Sequence, residues 1–141
     1  MGSRIKEFID NTKLFGEVIT LLPVSFMNYG AHILAKAFSE KVRYGKNLEK
    51  ILEKESSKLG LDEKNVHVKF GPTFLDTAEV EKIPNGNYEI LLSENYQDAF
   101  TLRHELYHIY KKHFEDKSPS VTRLFLRESQ STLYGLFRIK I

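Results

Sequence analysis

Ala99-Phe100-Thr101-Leu102-Arg103-His104-Glu105-Leu106-Tyr107-His108 is the stretch around which the rest of the chain arranges itself. It predicts a helix that begins near Tyr96, and its last five residues form an H-E-x-x-H motif. Histidines four residues apart sit about 40° apart around a helix, so the imidazoles of His104 and His108 leave the same face. Both can reach one zinc ion. Glu105, beside the first histidine, stands where it can take a proton from a water that the ion activates. The pattern leads to the expectation of a small zinc metallopeptidase, with Zn2+ as cofactor and Glu105 as catalytic base.

Working outward, the segment before this helix predicts a β-hairpin. Thr77 to Ile83 and Asn87 to Ser93 flank Asn85-Gly86, a favoured tight-turn pair, and Tyr88, Ile90 and Leu92 share one face of the second strand. Val66-His67-Val68-Lys69-Phe70 alternates apolar and polar residues as a half-buried strand does. Further back, Asn47 is placed to cap a helix carrying Leu48, Ile51, Leu52 and Leu59, with Gly60 as its stop. Pro23 divides an earlier apolar stretch, and a helix restarting there runs to about Ser39. After the motif, Phe114 to Ser118 reads as a short turn. Ser118 with Pro119 then opens a last helix to about Phe137. The plan is α+β: N-terminal helices, a small antiparallel sheet, the motif helix and a returning C-terminal helix. One domain of 141 residues accommodates it, helical over 1–60, with the sheet and site helices over 61–141.

Composition narrows the classes. A formal charge of +2 is too small to argue for nucleic acid. The densest basic run, Lys41, Arg43, Lys46 and Lys50, is interrupted by Glu40 and Glu49 and reads as a solvated surface. With no cysteine, disulfides and thiolate metal sites are excluded, and His, Asp and Glu are the strong zinc ligands left. This also suits a reducing cytoplasm. Arg4 and Lys6 are followed by Glu7 and Asp10 rather than an apolar run, so no signal-peptide pattern is read. Val18 to Ala35 carries no formal charge and approaches the minimum length of a membrane span. Its Pro23, Ser25, Asn28, Gly30 and His32 favour a buried helix or helix pair instead.

A catalytic zinc usually has three protein ligands and one open position. After His108 the candidates are His113, Glu115, Asp116 and Glu128. Nine residues beyond His104, His113 falls about 180° round the same helix and points away unless the helix breaks first. Glu128 has two arguments in its favour. In the last helix it shares a face with Val121, Leu124, Phe125, Ser131, Thr132 and Gly135, and a carboxylate on a stripe that begins apolar needs a partner or a metal. The small residues one and two turns later also permit close approach to another helix. Its position also fits a tight helical hairpin, which brings Glu128 back to the level of Glu105. A surface Glu128 paired with Arg123 or Arg127 stays open as the plainer alternative.

These residues resemble the ImmA/IrrE family of zinc peptidases, whose members show a strand, a short polar link, a phrase like F-T-x-x-H-E-x-x-H and later E-x-x-A-N-x-F-A. Here the strand is Tyr88-Glu89-Ile90-Leu91-Leu92, the phrase runs from Phe100 to His108, and the later segment is Glu128-Ser129-Gln130-Ser131-Thr132-Leu133-Tyr134-Gly135. The likeness spans about Val66 to Phe137, with Tyr107 where the family often has glycine and Ser131-Thr132 in place of Ala-Asn. It implies a zincin-like fold and a gluzincin-like site, with His104, His108 and Glu128 on zinc and Glu105 as base. The implied substrate is a protein or peptide, such as a helix-turn-helix transcriptional repressor. For the oxyanion, Tyr107, Tyr110, Tyr134 and His67 are conceivable donors, each also readable as structural. The rival in another class is a catalytically inactive zinc-containing module that binds protein.

Overall fold

The computed structural model describes residues 29–73, 77–115 and 120–141. Helix α1 covers 29–38, α2 Leu48–Leu59, α3 Ala99–Tyr110 and α4 Val121–Phe137. Strands β1 (Val66–Phe70), β2 (Ala78–Lys82) and β3 (Tyr88–Leu92) form one sheet, so the fold is α+β, with four α-helices among the described residues. Among the described residues no helix is long and apolar enough to cross a membrane. The Pro23 break and most of the uncharged Val18 to Ala35 stretch lie outside the described residues.

The sheet is mixed, not antiparallel as expected. Its order is β1-β3-β2, with β1 parallel to β3 (Val66 beside Tyr88) and β2 antiparallel to β3 (Ala78 beside Leu92). The reason lies in which strand tolerates full burial. Ile90 and Leu92 of β3 are wholly buried, whereas β1 carries His67 and Lys69, and β2 carries Glu79, Glu81 and Lys82. The most apolar strand takes the centre, its one charged residue, Glu89, pairing with Lys69 of β1, and the more polar strands take the edges. The hairpin forms as expected, but its loop has three residues. Pro84 has no N–H to pair with Asn87, so a two-residue turn on Asn85-Gly86 is not available; Ile83 pairs with Asn87 instead, and Gly86 alone in the loop takes the left-handed conformation at φ 86°.

Val66, Val68, Ile90 and Leu92 pack with Leu48, Ile51 and Leu59 of α2 and with Leu102, Leu106 and Ile109 of α3. This core fixes the far side of α3 and leaves its histidine face toward α1, β2 and α4. Asn47 does precede α2, but its amide turns back to the Arg43 N–H and the Lys41 carbonyl and leaves the helix uncapped by that side chain. Gly60 ends α2 at φ 71° as expected.

The start of α3 is tied down completely. Its first four N–H groups donate to the Glu40 carbonyl, Ser39 Oγ, Asp98 Oδ1 and the Asp98 carbonyl. Asp98 is fully buried in this role, and it moves the helix start to Ala99 from the expected Tyr96 region. Because two of those acceptors follow directly on α1, the same bonds hold α1 against α3.

α4 begins at Val121 with Ser120 as its N-cap, while Ser118 and Pro119 lie outside the described residues. The expected small-residue seam is present, with Ser131, Thr132 and Gly135 buried against α3. A Cβ on Gly135 would stand 2.8 Å from Phe100 Cε2 and 3.4 Å from the Phe100 carbonyl oxygen, so only glycine permits this approach.

Candidate metal centre

Three side chains meet between α3 and α4. His104 Nε2 lies 3.1 Å from Glu128 Oε2, His108 Nε2 lies 3.3 Å from Glu128 Oε1, and the two Nε2 atoms are 3.1 Å apart. Donors about 2.0–2.2 Å from a tetrahedral zinc are separated from one another by roughly 3.3–3.5 Å. The donor set and its spacing therefore fit a zinc ion, and among the described residues this is the group of three that offers one. The helical spacing of His104 and His108 and the antiparallel return of α4 both behave as the sequence suggested. The plainer alternative for Glu128, a surface pair with Arg123 or Arg127, is not what its carboxylate does.

Electrostatics among the protein groups agree with that convergence. Burial pushes the Glu128 carboxyl up, yet hydrogen bonds to His104 and His108 pull it further down, ending well below the ordinary carboxylate range. Burial lowers the His108 imidazole, and the Glu128 hydrogen bond with the Glu105 and Glu128 charges raises it to a net upward shift. Glu105 is buried beside the cluster, and burial pushes its carboxyl up despite the neighbouring histidines. A carboxyl displaced upward by burial in a cleft marks a candidate functional group.

Two cavities open on the cluster, of about 260 Å³ and 590 Å³. Glu105, Glu128 and Ala78 of strand β2 border both. The smaller runs past His108 toward His113, Phe114 and Arg127. The larger runs past His104 toward Tyr29, His32 and Lys36 of α1.

The four oxyanion candidates lie elsewhere. Tyr107 stacks on Tyr134 and binds the backbone of Ile141 through its hydroxyl, donating to the carbonyl at 2.9 Å and accepting the N–H at 3.1 Å. Tyr110 sits under Lys140, and His67 bonds Asn87 across the sheet. None of them borders either cavity beside His104, His108 and Glu128.

Two histidines not assigned to the site from sequence do. His32 bonds Thr132 Oγ1 at 3.1 Å, and its ring centroid is 5.1 Å from that of His104. Burial, then the His104 charge, push it down to about 4. His113 returns toward the cluster because α3 ends at Tyr110 and Lys112 turns the chain at φ 53°. Its Nδ1 lies 2.8 Å from His108 Nδ1, and burial with the His108 and Arg127 charges pushes it down to about 4. A left-handed lysine costs on the order of 1 kcal/mol relative to glycine, so this turn is held by its surroundings. Four of the five histidines thus form one file of rings, His32, His104, His108 and His113. The one sequence hint for His32 was a lone imidazole in an uncharged apolar stretch.

Compared with protein-family models, curated proteins and solved structures, the chain gives no match.

Proposed function

We propose that the protein is a zinc-dependent endopeptidase with a gluzincin-like site, in which His104, His108 and Glu128 hold the metal and Glu105 is the catalytic base. The observation that carries this reading is the convergence of three side chains, with nitrogen and oxygen atoms 3.1–3.3 Å apart, beside a buried carboxyl. When bound, zinc supplies Lewis-acid polarisation of a peptide carbonyl and of a water. Glu105 takes a proton from that water as the new C–O bond forms. It then delivers the proton to the amine nitrogen as the C–N bond breaks. The substrate backbone lies extended along β2, which pairs with β3 on one side and borders both cavities with Ala78. The zincin-like character of the fold, a cytoplasmic setting and a helix-turn-helix repressor as substrate belong to the same proposal, on the resemblance of the two motif segments.

The test pairs metal content with turnover. The unaltered chain is expected to bind one zinc and to cleave a repressor-type substrate. Glu105→Gln is expected to keep the zinc and lose cleavage by at least about 100-fold. Zinc binding with no turnover of any repressor tested would move the protein to the metal-containing binding modules. A Glu105→Gln variant that still cleaves would remove Glu105 as base.

A further inference from the structure

We propose that His113 is the positioning residue of the metal centre, accepting the Nδ1–H of His108 and so holding the His108 Nε2 lone pair toward the metal. The inference rests on the zinc reading above. Its chemistry follows from the two ring nitrogens of a neutral imidazole, of which one carries the proton and the other the lone pair. The 2.8 Å contact between His108 Nδ1 and His113 Nδ1 contains one proton, and either ring can donate it. Were His113 the donor, neutral His108 would carry its own proton on Nε2, the atom that faces Glu128 and His104. With His108 as donor, Nε2 is free to bind a metal. Only that direction is compatible with a ligand role.

The backbone is arranged to make this contact. A continuous helix would carry His113 to the far side of α3, and the left-handed Lys112 brings it back instead. Arg127 Nη1 then donates to the His113 carbonyl at 2.8 Å. Arg127 directly precedes Glu128, so one clamp joins the turn that orients His108 to the helix that supplies the third ligand. His104 has no such device: its Nδ1 is buried without a hydrogen-bond partner among the described residues, and the rings of Phe100 and His32 flank it. Partners of this kind typically change metal affinity by 10–100-fold when removed.

The experiment measures zinc affinity of the full chain by competition with a chromophoric chelator, for the unaltered protein, His113→Leu, His113→Asn and Glu128→Ala. Leucine fills space without accepting a proton, whereas an asparagine amide offers an acceptor near the position of Nδ1. We expect His113→Leu to weaken zinc binding roughly 10–100-fold and His113→Asn to restore most of it, with metal-free melting temperatures kept together. Ring-nitrogen NMR of the zinc form should find the His108 proton on Nδ1 and the His113 proton on Nε2. Unchanged affinity in His113→Leu, a loss that asparagine does not repair, or a His108 proton on Nε2 would overturn the inference. So would zinc retained in Glu128→Ala and abolished in His113→Leu, which would make His113 a ligand in its own right. An unaltered protein that binds no zinc brings down this inference and the peptidase reading together. Asparagine rescue without any turnover brings down the peptidase reading alone.

Discussion

The seam between α3 and α4 has a closed half and an open half, and they are built on opposite principles. In the closed half the backbones nearly touch at Gly135 and Phe100, Arg103 Nε donates to the Gly135 carbonyl at 2.8 Å, and Tyr107 stacks on Tyr134. In the open half the same two helices aim two imidazoles and a carboxylate at one point, and the Glu128 side chain is 55% exposed to the cleft. Close packing and matched hydrogen bonds stabilise the first half. The second gathers groups that a folded chain has no need to bring together. Rigidity at one end of the helix pair is what allows the two imidazoles and the carboxylate to be held in place at the other.

The largest expected effect separates the halves by function. Glu128→Ala should lower zinc affinity by at least about 100-fold, since removing a ligand outweighs removing a ligand's partner. It should also change the stability of the metal-free protein by no more than about 1 kcal/mol, because the side chain is half exposed, which discounts the hydrogen bonds it loses to His104 and His108. Chelator competition and urea melts measure the two quantities. A large loss of stability in the metal-free protein would show that the open half is structural after all. Next comes Gly135→Ala in the closed half, expected to cost about 1–3 kcal/mol because the new methyl must displace the buried Phe100 ring. That variant should weaken zinc binding as well, by pushing α4 and with it Glu128 away from α3. Unchanged affinity in a destabilised Gly135→Ala protein would mean the two halves are mechanically independent.

Much of the open half could be read from spacing, because a helix repeats every few residues and the chain must turn back within a few more. That arithmetic groups His104, Glu105 and His108, and with the apolar stripe of the last helix it favours Glu128. The closed half was legible only as a row of small residues, Ser131, Thr132 and Gly135. His113 escaped the same arithmetic because a left-handed Lys112 is not a residue from which such a turn is expected. His32 escaped because its partner is a hundred positions away, and no local pattern reports such a contact. The sheet shows the limit of pattern in another way. Alternation and the Asn85-Gly86 turn signal identified the strands, but the order β1-β3-β2 follows from competition for the buried centre, which involves all three at once.

Arg138 tests whether charge contributes to anchoring the closed half. Its guanidinium bonds Glu55 of α2 at 2.9 Å, and it ends α4 in a left-handed conformation at φ 56°. Burial pushes the Glu55 carboxyl up, but Arg138, followed by Lys58 and Arg103, pulls it further down, to a net value below the ordinary one. A carboxyl with a depressed folded value contributes stability above the ordinary carboxylate range and loses it as pH falls through the folded value. Arg138→Ala should therefore cost about 1–2 kcal/mol at neutral pH, a figure reduced because the arginine is half exposed. The gap in melting temperature between the variant and the unaltered protein should close on acidification. A gap constant with pH would assign the effect to the end of the helix rather than to the ion pair.

The smallest expected effect lies where the two halves join. Thr132 is buried on the closed side, and its hydroxyl reaches His32 at the edge of the larger cavity. Valine keeps nearly the same shape and removes the hydrogen bond, so Thr132→Val should cost about 0.5–1.5 kcal/mol. Zinc affinity should hold, because neither Thr132 nor His32 is among the proposed ligands, while turnover falls severalfold as His32 loses its orientation beside His104. Measured side by side, metal content, melting temperature and turnover distinguish three origins. Loss of zinc would place Thr132 with the open half, and loss of stability alone would place it with the closed half. Loss of turnover with both of the others nearly intact would show that α1, through His32, takes part in the proposed reaction instead of merely covering the site.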